Sequence, residues 1–336
     1  MKDIAVLGTG SWGTALALLL AKKECRVKMW GRDEKKIAAM GEKRENIFYL
    51  PGIKLITGLE LTSDLAQALS GVKYIVLSVP SHTVREVSRT LRPYLAPGMI
   101  IINTGKGIET ESLKRLSEVI DEETSVCGTH TTVLSGPSHA EEVARDIPTA
   151  VVVGAKDKAL AEEVQDLFMS PHFRVYTNPD LIGIELGAAL KNAIALGTGI
   201  ADGLGYGDNS KAALITRGAA EIAALGMAAG ANPLTFAGLA GIGDLIVTCT
   251  SMHSRNRRCG ILLGQGKPLG EAVREIGMVV EGVRATQAAY SLSRKYNVGM
   301  PICTEMHRVL FENKSPHDAV VDLMMRPKKH EVESFL

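Results

Sequence analysis

DIAVLGTGSWGTALALLLAKK, residues 3–23, joins an apolar run, a glycine-rich turn and a second apolar run. We predict a buried strand over residues 3–7, then the GxGxxG turn of Gly8, Gly10 and Gly13, then a helix. This order is the fingerprint of a dinucleotide-binding βαβ unit. Gly8 permits a tight turn, Gly10 lets the backbone approach a pyrophosphate, and Gly13 lets the helix lie close to the sheet. The helix start offers unpaired N–H groups to phosphates.

A second strand is predicted over Arg26–Trp30, and Gly31-Arg32-Asp33 follows it. Asp33 lies about 20 residues after the glycines, the distance at which an acid binds the ribose hydroxyls of a dinucleotide. Arg32 suits a 2′-phosphate instead. The pattern therefore predicts a nicotinamide or flavin dinucleotide, with NADPH favoured over NADH because of Arg32. A tight turn without a ligand is the alternative, and the βαβ context disfavours it.

Composition narrows the class of protein. A chain of 336 residues exceeds one ordinary core, so two domains are expected. A net charge of +1 indicates neither a nucleic-acid nor a membrane-surface partner. No apolar run approaches the ~20 residues that span a bilayer, so membrane insertion is not expected. The five cysteines lack CxxC spacing, which indicates reduced thiols and a cytoplasmic location. No signal peptide and no metal site are expected.

Strand patterns alternate with helical patterns up to about residue 180. This alternation predicts an α/β domain over residues 1–180, with a Rossmann-type doubly wound parallel sheet. Residues 181–326 contain almost no strand pattern and are predicted to be all-helical, and residues 327–336 form a polar tail. The short junction predicts that the domains pack tightly around a cleft. Further predicted segments are strands over 73–79, 99–103, 132–135, 150–154 and 173–177, extended pieces within 46–56, and a helix over 111–120.

Three strand ends carry groups that suit a ligand, because ligands bind outside the carboxyl ends of such strands. The first is Ser78-Val79-Pro80-Ser81, at the end of the strand at 73–79. Lys106 follows the strand at 99–103 and is the only charged residue between Pro97 and Glu109. We predict that Lys106 binds a ligand; the alternative is that it is an exposed loop lysine without such a role. Gly136-Pro137-Ser138 follows the strand at 132–135, and its N–H groups and hydroxyl suit an anion.

Lys191 is the only charge in LGAALKNAIALGTGIA, residues 186–201. An amphipathic surface helix would carry a charged face, so this helix is predicted to be buried on most sides. Burial without a partner lowers the pKa of a lysine toward neutrality, as general acid–base catalysis requires. The alternative is a lysine whose stem lies in the core while its ammonium reaches water. We favour the catalytic interpretation.

Asp244 follows the same logic, since it is the only formal charge between Glu221 and Arg255. A carboxylate in so apolar a stretch needs a cationic or hydroxyl partner, and Lys191 or the substrate would serve. The alternative is a helix cap.

Residues 254–258, Ser-Arg-Asn-Arg-Arg, form the densest basic cluster. Nucleic-acid binding usually needs an extended basic surface, and one short cluster on a near-neutral chain does not provide it. Arginine instead offers a bidentate fork to the phosphate of a small molecule. A solvated helix face is the alternative, and it suits Arg257 and Arg258 better than Arg255.

Taken together, these motifs resemble the bacterial NAD(P)-dependent glycerol-3-phosphate dehydrogenase family over nearly the whole chain. The matching segments are GTGSWG at 8–13, NTGKGIE at 103–109, LSGPSHAEEV at 134–143, ELGAALKNAIA at 185–195, AGIGDLIVTC at 240–249, SRNRRCG at 254–260 and VEGV at 280–283.

The resemblance implies reversible hydride transfer between the nicotinamide C4 and C2 of dihydroxyacetone phosphate, which gives sn-glycerol 3-phosphate for phospholipid synthesis. It also implies a cytosolic homodimer. Lys191 is then the proton donor and acceptor. The implied substrate contacts are Lys106, Gly136, Ser138, Lys191, Asp244, Ser254, Arg255 and Asn256. The implied cofactor contacts, besides the glycines, are Ser11, Trp12, Arg32, Lys106, Ala140, Arg255, Val279 and Glu281.

Two other functions remain open at this point. A β-hydroxyacid dehydrogenase also pairs a Rossmann domain with a helical domain and a lysine, but its carboxylate substrate would not need the cluster at 254–256. A nucleotide-sensing module would bind the dinucleotide without turnover, but it would not need a desolvated Lys191.

Overall fold

The computed structural model describes residues 2–328, 330 and 331. It divides into two compact units, the first comprising the chain to Glu109 and Lys114–Leu181, the second Thr110–Leu113 and the chain from Ile182 onward. Part of the predicted polar tail, residue 329 and residues 332–336, lies outside the described residues.

The first unit is a sheet covered by helices. Its strands are β1 Asp3–Leu7, β2 Arg26–Trp30, β3 Leu59–Thr62, β4 Tyr74–Leu77, β5 Ile100–Asn103, β6 His130–Ser135, β7 Thr149–Gly154 and β8 Phe173–Asn178. Its α-helices are α1 Ser11–Lys22, α2 Glu34–Lys43, α3 Leu65–Leu69, α4 Val84–Leu91, α5 Leu116–Thr124, α6 Ala140–Val143 and α7 Lys158–Phe168.

The strand order, β3-β2-β1-β4-β5-β6-β7-β8, confirms the doubly wound sheet. Successive strands are added to one side of β1 up to β3 and to its other side from β4 onward, so the strand order changes direction between β1 and β4. Doubly wound sheets bind ligands at this point. Alternate residues of β1 face opposite layers: Ile4 and Val6 pack with α1 and α7, whereas Ala5 and Leu7 pack with α5. Both faces of the sheet are therefore covered, as apolar parallel strands require.

Three details of the sequence prediction are wrong. The sheet is not wholly parallel, because β7 runs antiparallel to β6. The chain between these strands contains only the four-residue α6, too short a helix for the usual crossover. The third strand is β3, whereas residues 46–56 contribute only an isolated bridge between Glu45 and Lys54. The helix expected over 111–120 begins instead at Leu116.

In the second unit every regular element is a helix among the described residues, which confirms the all-helical prediction. The α-helices are α8 Leu181–Gly203, α9 Asp208–Ala228, α10 Pro233–Phe236, α11 Asp244–Thr250, α12 Arg255–Gly264, α13 Leu269–Ile276, α14 Glu281–Lys295, α15 Pro301–Phe311 and α16 Pro316–Met324. A π-helical turn, Leu239–Gly243, precedes α11.

Helix α8 is buried along its length from residue 183 to 201, as predicted. Its 23 residues are nevertheless long and apolar enough to cross a membrane, so the expectation that no run approaches that length is wrong. The segment Pro233–Thr250 also meets the criterion. The apolar window of α8 is 94% buried within the protein, which is typical of the core helix of a soluble protein.

Helices α8 and α12 cross at very close range because each presents two glycines spaced four residues apart. A Cβ at Gly199 would lie 2.1 Å from the carbonyl oxygen of Arg257, and one at Gly203 would lie 2.2 Å from that of Ile261. Gly260 and Gly264 meet the α8 backbone equally closely. Small residues at this spacing let helix backbones approach each other. The crossing sets the position of α12 on α8.

We expect Gly203→Ala to destabilise the protein by about 1–3 kcal/mol, the usual cost of overpacking, because the new methyl meets backbone and not a mobile side chain. Gly270→Ala is the matched control, since a Cβ at this position in α13 meets nothing within 4 Å. Alanine at Gly270 should be neutral or stabilising by up to about 1 kcal/mol. Urea unfolding followed by circular dichroism measures both. Equal unfolding midpoints for the two variants would contradict this account of the crossing.

Candidate active site

The glycine-rich turn has the geometry that a dinucleotide requires. Gly8 has a φ of +116°, and a Cβ there would lie 2.2 Å from the carbonyl oxygen of Ser78. A Cβ at Gly13 would lie 2.2 Å from the carbonyl oxygen of Gly8, so α1 rests directly on the turn. At Gly10, a Cβ would meet nothing within 4 Å. Space is thus left open where a pyrophosphate approaches the backbone, and the residues fit the cofactor.

Asn46 holds this turn in place, and the sequence analysis missed it. Its fully buried side chain donates to the carbonyl oxygen of Thr9 at 2.8 Å and to Oγ1 of Thr14 at 2.7 Å, and it accepts from the N–H of Tyr49. Thr14 in turn donates to the carbonyl oxygen of Gly10. A single asparagine 36 residues beyond Gly10 carries no local signal, so only the structure identifies this role.

Ser11 and Trp12 begin α1 directly after Gly10. The indole Nε1 of Trp12 is buried and has no hydrogen-bond partner in the described part of the chain. A buried donor of this kind normally has an acceptor. This buried donor beside the glycine turn suits an acceptor atom of a bound cofactor.

At the end of β2, Asp33 and Arg32 are the two residues considered from the sequence for binding the ribose hydroxyls and a 2′-phosphate, and their surroundings differ. Oδ1 of Asp33 accepts from the N–H of Lys36 and caps α2. Arg32 is exposed, and its guanidinium has no partner among the residues described. The carboxylate thus has a structural use, whereas the cation suits an external anion.

Lys106, Gly136 and Ser138 come together beyond the ends of β5 and β6. Nζ of Lys106 donates to the carbonyl oxygen of Gly136 at 2.8 Å and lies 3.5 Å from Oγ of Ser138. Gly136 has a φ of +136°, and a Cβ there would lie 2.9 Å from Cα of Val151, so this position requires glycine. Ala140 begins α6 and is buried. Lys106 is therefore held by its own unit and is not a loose loop lysine.

In the helical unit, Lys191 and Asp244 form a buried ion pair. Nζ of Lys191 lies 3.0 Å from Oδ1 of Asp244, and the two residues are 3% and 1% exposed. This confirms the predicted pairing and excludes the alternative in which Lys191 reaches water. The cap of α11 is Gly243, and no side chain supplies it. Asp244 thus stabilises the ammonium, as an opposite charge at this distance does.

Thr248 completes the arrangement and was not anticipated. Its hydroxyl donates to the backbone carbonyl of Asp244 at 2.6 Å and accepts from Nζ of Lys191 at 2.5 Å. One turn of α11 therefore supplies both the carboxylate and the hydroxyl that orient the ammonium. The i, i+4 spacing of Asp244 and Thr248 on one helix face was the available signal.

Asn256 links three helices through its amide. Its Nδ2 donates to Oδ1 of Asn192 at 2.8 Å, and its Oδ1 accepts from the N–H of Gly282 at 2.8 Å. Asn192 follows Lys191 on α8, and Gly282 follows Glu281 on α14. The structure thereby joins the lysine helix, the start of α12 and the start of α14. Val279, two residues before Glu281, is 36% exposed.

The basic cluster differs from the sequence prediction at two positions. Oγ of Ser254 caps α12 by accepting from the N–H of Arg257, and Arg255 is half-buried at the first helical position. Arg257 is not solvated, because its guanidinium pairs with Asp202 of α8. Arg258 is also half-buried, and its Nε is buried without a partner within the described chain. The solvated-face interpretation is therefore wrong for Arg257 and Arg258.

The site residues thus form two sets, one in each unit. The sheet unit holds Gly8, Gly10, Ser11, Trp12, Gly13, Arg32, Lys106, Gly136, Ser138 and Ala140, and the helical unit holds Lys191, Asp244, Ser254, Arg255, Asn256, Val279 and Glu281. Across residues 2–328, 330 and 331, no group of three or more histidine, cysteine, aspartate or glutamate side chains is arranged to hold a metal ion.

Comparison with known proteins identifies the family. Residues 3–161 match the N-terminal domain and residues 180–321 the C-terminal domain of NAD-dependent glycerol-3-phosphate dehydrogenase. The chain is 60% identical over 331 residues to the glycerol-3-phosphate dehydrogenase [NAD(P)+] of Pelotomaculum thermopropionicum, covering 98% of this chain and 95% of the relative. It is 54% identical to that of Bacillus velezensis, covering 100% and 98%.

A solved structure gives the same result. The glycerol-3-phosphate dehydrogenase of Coxiella burnetii superposes with a TM-score of 0.93 at 39% identity, covering 97% of this chain and 99% of that one. The fold, the glycine turn and both domain matches agree with the resemblance seen in the sequence. The chain is an NAD(P)-dependent oxidoreductase and belongs to the bacterial glycerol-3-phosphate dehydrogenase family.

Proposed function

We propose that this protein catalyses the reversible NAD(P)H-dependent reduction of dihydroxyacetone phosphate to sn-glycerol 3-phosphate. The observation that carries the proposal is the buried Lys191–Asp244 pair, in the same unit as the basic start of α12. A cationic proton donor and a phosphate-binding helix start are the two features that this substrate needs.

Lys191 stabilises the negative charge that develops on the C2 oxygen during reduction and then donates its proton there. When bound, the nicotinamide supplies the hydride. A charge in a water-excluded site interacts more strongly than in water, so a preorganised ammonium lowers the barrier. Asp244 and Thr248 hold Nζ of Lys191 and orient the ammonium. In the reverse direction Lys191 accepts the proton of the substrate hydroxyl.

Arg255 and the start of α12 anchor the substrate phosphate. The guanidinium supplies a bidentate fork, and the helix terminus supplies backbone N–H groups and a favourable dipole. Binding at the phosphate is remote from C2, so its free energy serves to orient the reacting carbonyl. Ser254 and Asn256 fix this terminus. The family resemblance implies that both also contact the substrate, together with Lys106, Gly136, Ser138 and Asp244.

The glycine turn holds the cofactor pyrophosphate, and Ser11 and Trp12 contact it at the start of α1. Arg32 pairs with a 2′-phosphate, which makes NADPH the preferred cofactor. The resemblance assigns further cofactor contacts to Lys106, Ala140, Arg255, Val279 and Glu281. From the same resemblance we propose that the enzyme is a cytoplasmic homodimer that supplies the glycerol phosphate of phospholipids.

Oxidation of NADPH and of NADH by the purified protein tests the function, with dihydroxyacetone phosphate and unphosphorylated dihydroxyacetone compared in parallel. We expect turnover of dihydroxyacetone phosphate that far exceeds the weak turnover of unphosphorylated dihydroxyacetone. Reduction of NADP+ or NAD+ by 3-hydroxy acids, with no turnover of dihydroxyacetone phosphate, would assign the chain another reaction. Binding of the cofactor with no turnover of either class would indicate a sensor.

Lys191→Ala should reduce turnover by at least ~10²-fold, the low end for general acid–base catalysis. Cofactor affinity should be unchanged, because Lys191 is not among the cofactor contacts. Steady-state kinetics and fluorescence titration with NADPH measure the two effects. Lys158→Ala, which removes an exposed lysine of α7, is the control. Full turnover by the Lys191 variant would refute its role.

Arg255→Met should raise the KM for dihydroxyacetone phosphate by about 10- to 100-fold, because a hydrogen bond to a charged group contributes about 1.5–3 kcal/mol. With NADPH saturating, so that the proposed contact of Arg255 with the cofactor does not limit the rate, the weak turnover of dihydroxyacetone should change little, since it has no phosphate. A variant that loses both substrates equally would show that Arg255 acts elsewhere.

Arg32→Ala should raise the KM for NADPH about tenfold, equivalent to one charge-assisted contact of ~1.4 kcal/mol, and leave that for NADH within about twofold. Lys35→Ala, which removes a neighbouring exposed charge on α2, controls for general electrostatics. Equal changes for both cofactors in Arg32→Ala would contradict 2′-phosphate recognition.

A further inference from the structure

The guanidinium of Arg257 contacts side chains and backbone of other elements, and the function proposed above gives these contacts no role. Its Nε and Nη2 both lie 2.7 Å from Oδ2 of Asp202 near the end of α8, and its Nη1 donates to the carbonyl oxygen of Thr250, the last residue of α11, at 2.6 Å. Nη1 also lies 3.2 Å from Sδ of Met252. One side chain therefore ties α12 to α8 and to α11.

The backbone of Arg257 is fixed as firmly as its guanidinium. Its N–H donates to Oγ of Ser254, and its carbonyl oxygen lies against Gly199 at the crossing of α8 with α12. Asp202 is balanced as well, because its other carboxylate oxygen lies 2.9 Å from Nζ of Lys211. Removal of the Arg257 charge thus leaves Asp202 with a cationic partner, and a variant should still fold.

The three helices joined by Arg257 carry the proposed chemistry of the unit. Helix α8 holds Lys191, α11 holds Asp244, and α12 begins with Arg255. We propose that Arg257 is a positioning residue, which sets the phosphate anchor at the start of α12 relative to the proton donor. This inference rests on the proposed function, since it concerns how the same site distinguishes a phosphorylated substrate.

The geometry separates Arg257 from a direct phosphate ligand. Each nitrogen of its guanidinium is directed at an acceptor of the protein, and the side chain is only 13% exposed. The guanidinium therefore forms its hydrogen bonds within the protein and not with a ligand. Its effect on a phosphate must pass through the position of Arg255 and of the helix terminus. Small displacements of a binding group cost large factors in rate or affinity.

Four variants test the proposal: Arg257→Met, Arg257→Lys, Asp202→Asn and the double variant Arg257→Met/Asp202→Asn. We expect Arg257→Met to raise the KM for dihydroxyacetone phosphate about tenfold, with kcat within about threefold and turnover of dihydroxyacetone unchanged. Asp202→Asn should reproduce part of this rise. The double variant should resemble Arg257→Met, because both changes break one interaction. Arg257→Lys should recover part of the affinity by restoring the pairing with Asp202.

Arg274→Met is the matched control, since it removes the same charge from an exposed position on α13 without breaking a connection to α8 or α11. Its selectivity for the phosphorylated substrate should equal that of the wild type. If Arg257→Met lowers only the melting temperature and retains this selectivity, Arg257 is merely structural. If it loses as much as Arg255→Met while Asp202→Asn is silent, Arg257 contacts the phosphate directly. Either result overturns the proposal.

A readout without turnover separates this proposal from the function on which it rests. Calorimetric titration with inorganic phosphate should give a Kd several-fold weaker for Arg257→Met and Asp202→Asn than for the wild type and Arg274→Met. Wild-type protein that fails to reduce dihydroxyacetone phosphate refutes the proposed function, whatever the phosphate titration gives. Equal phosphate affinity in wild type and Arg257→Met refutes the positioning role, even when the wild type is active.

Discussion

The helical unit depends on one buried ion pair, that of Lys191 with Asp244. Removing two such charges from water costs several kcal/mol for each ion, and only good geometry offsets that cost. The structure supplies the geometry with an Nζ–Oδ1 distance of 3.0 Å and with Thr248, which fixes the ammonium from the same helix. An unpaired charge at either position would be strongly unfavourable. Helices α8 and α11 must therefore keep their relative positions to within a fraction of an ångström.

Glycine contacts and polar links together supply that precision. Gly199 and Gly203 let α12 lie against α8 backbone to backbone, and Asn256 and Arg257 then connect the start of α12 to its neighbours. Close packing resists displacement because protein interiors are dense and compress little. The sheet unit follows the same plan. Its glycine turn is in contact with the backbone at Ser78, and the buried Asn46 holds the turn from the other side.

Sequence patterns predicted the fold and the candidate site well at positions where the residue type is unusual for its surroundings. Lys191 and Asp244 were identified as lone charges in apolar stretches, because a buried charge is unfavourable unless it is paired. The prediction failed where ordinary residues gain meaning only from their neighbours. Asn46 is a common polar residue with nothing unusual around it in sequence, and the only sequence signal for Thr248 is its place four residues after Asp244. The strand Leu59–Thr62 is four residues long and half exposed, so it shows no apolar run.

By itself, the amino-acid sequence determined the α/β class, the change to helices near residue 180, the dinucleotide turn and the candidate lysine. Periodicity, glycine spacing and isolated charges are local properties, and each has a local physical cause. The tertiary structure alone decided the reversed direction of β7, the hydroxyl partner of Lys191 and the commitment of Arg257 to Asp202. Those features join residues that lie far apart in sequence, and only packing determines which distant groups meet.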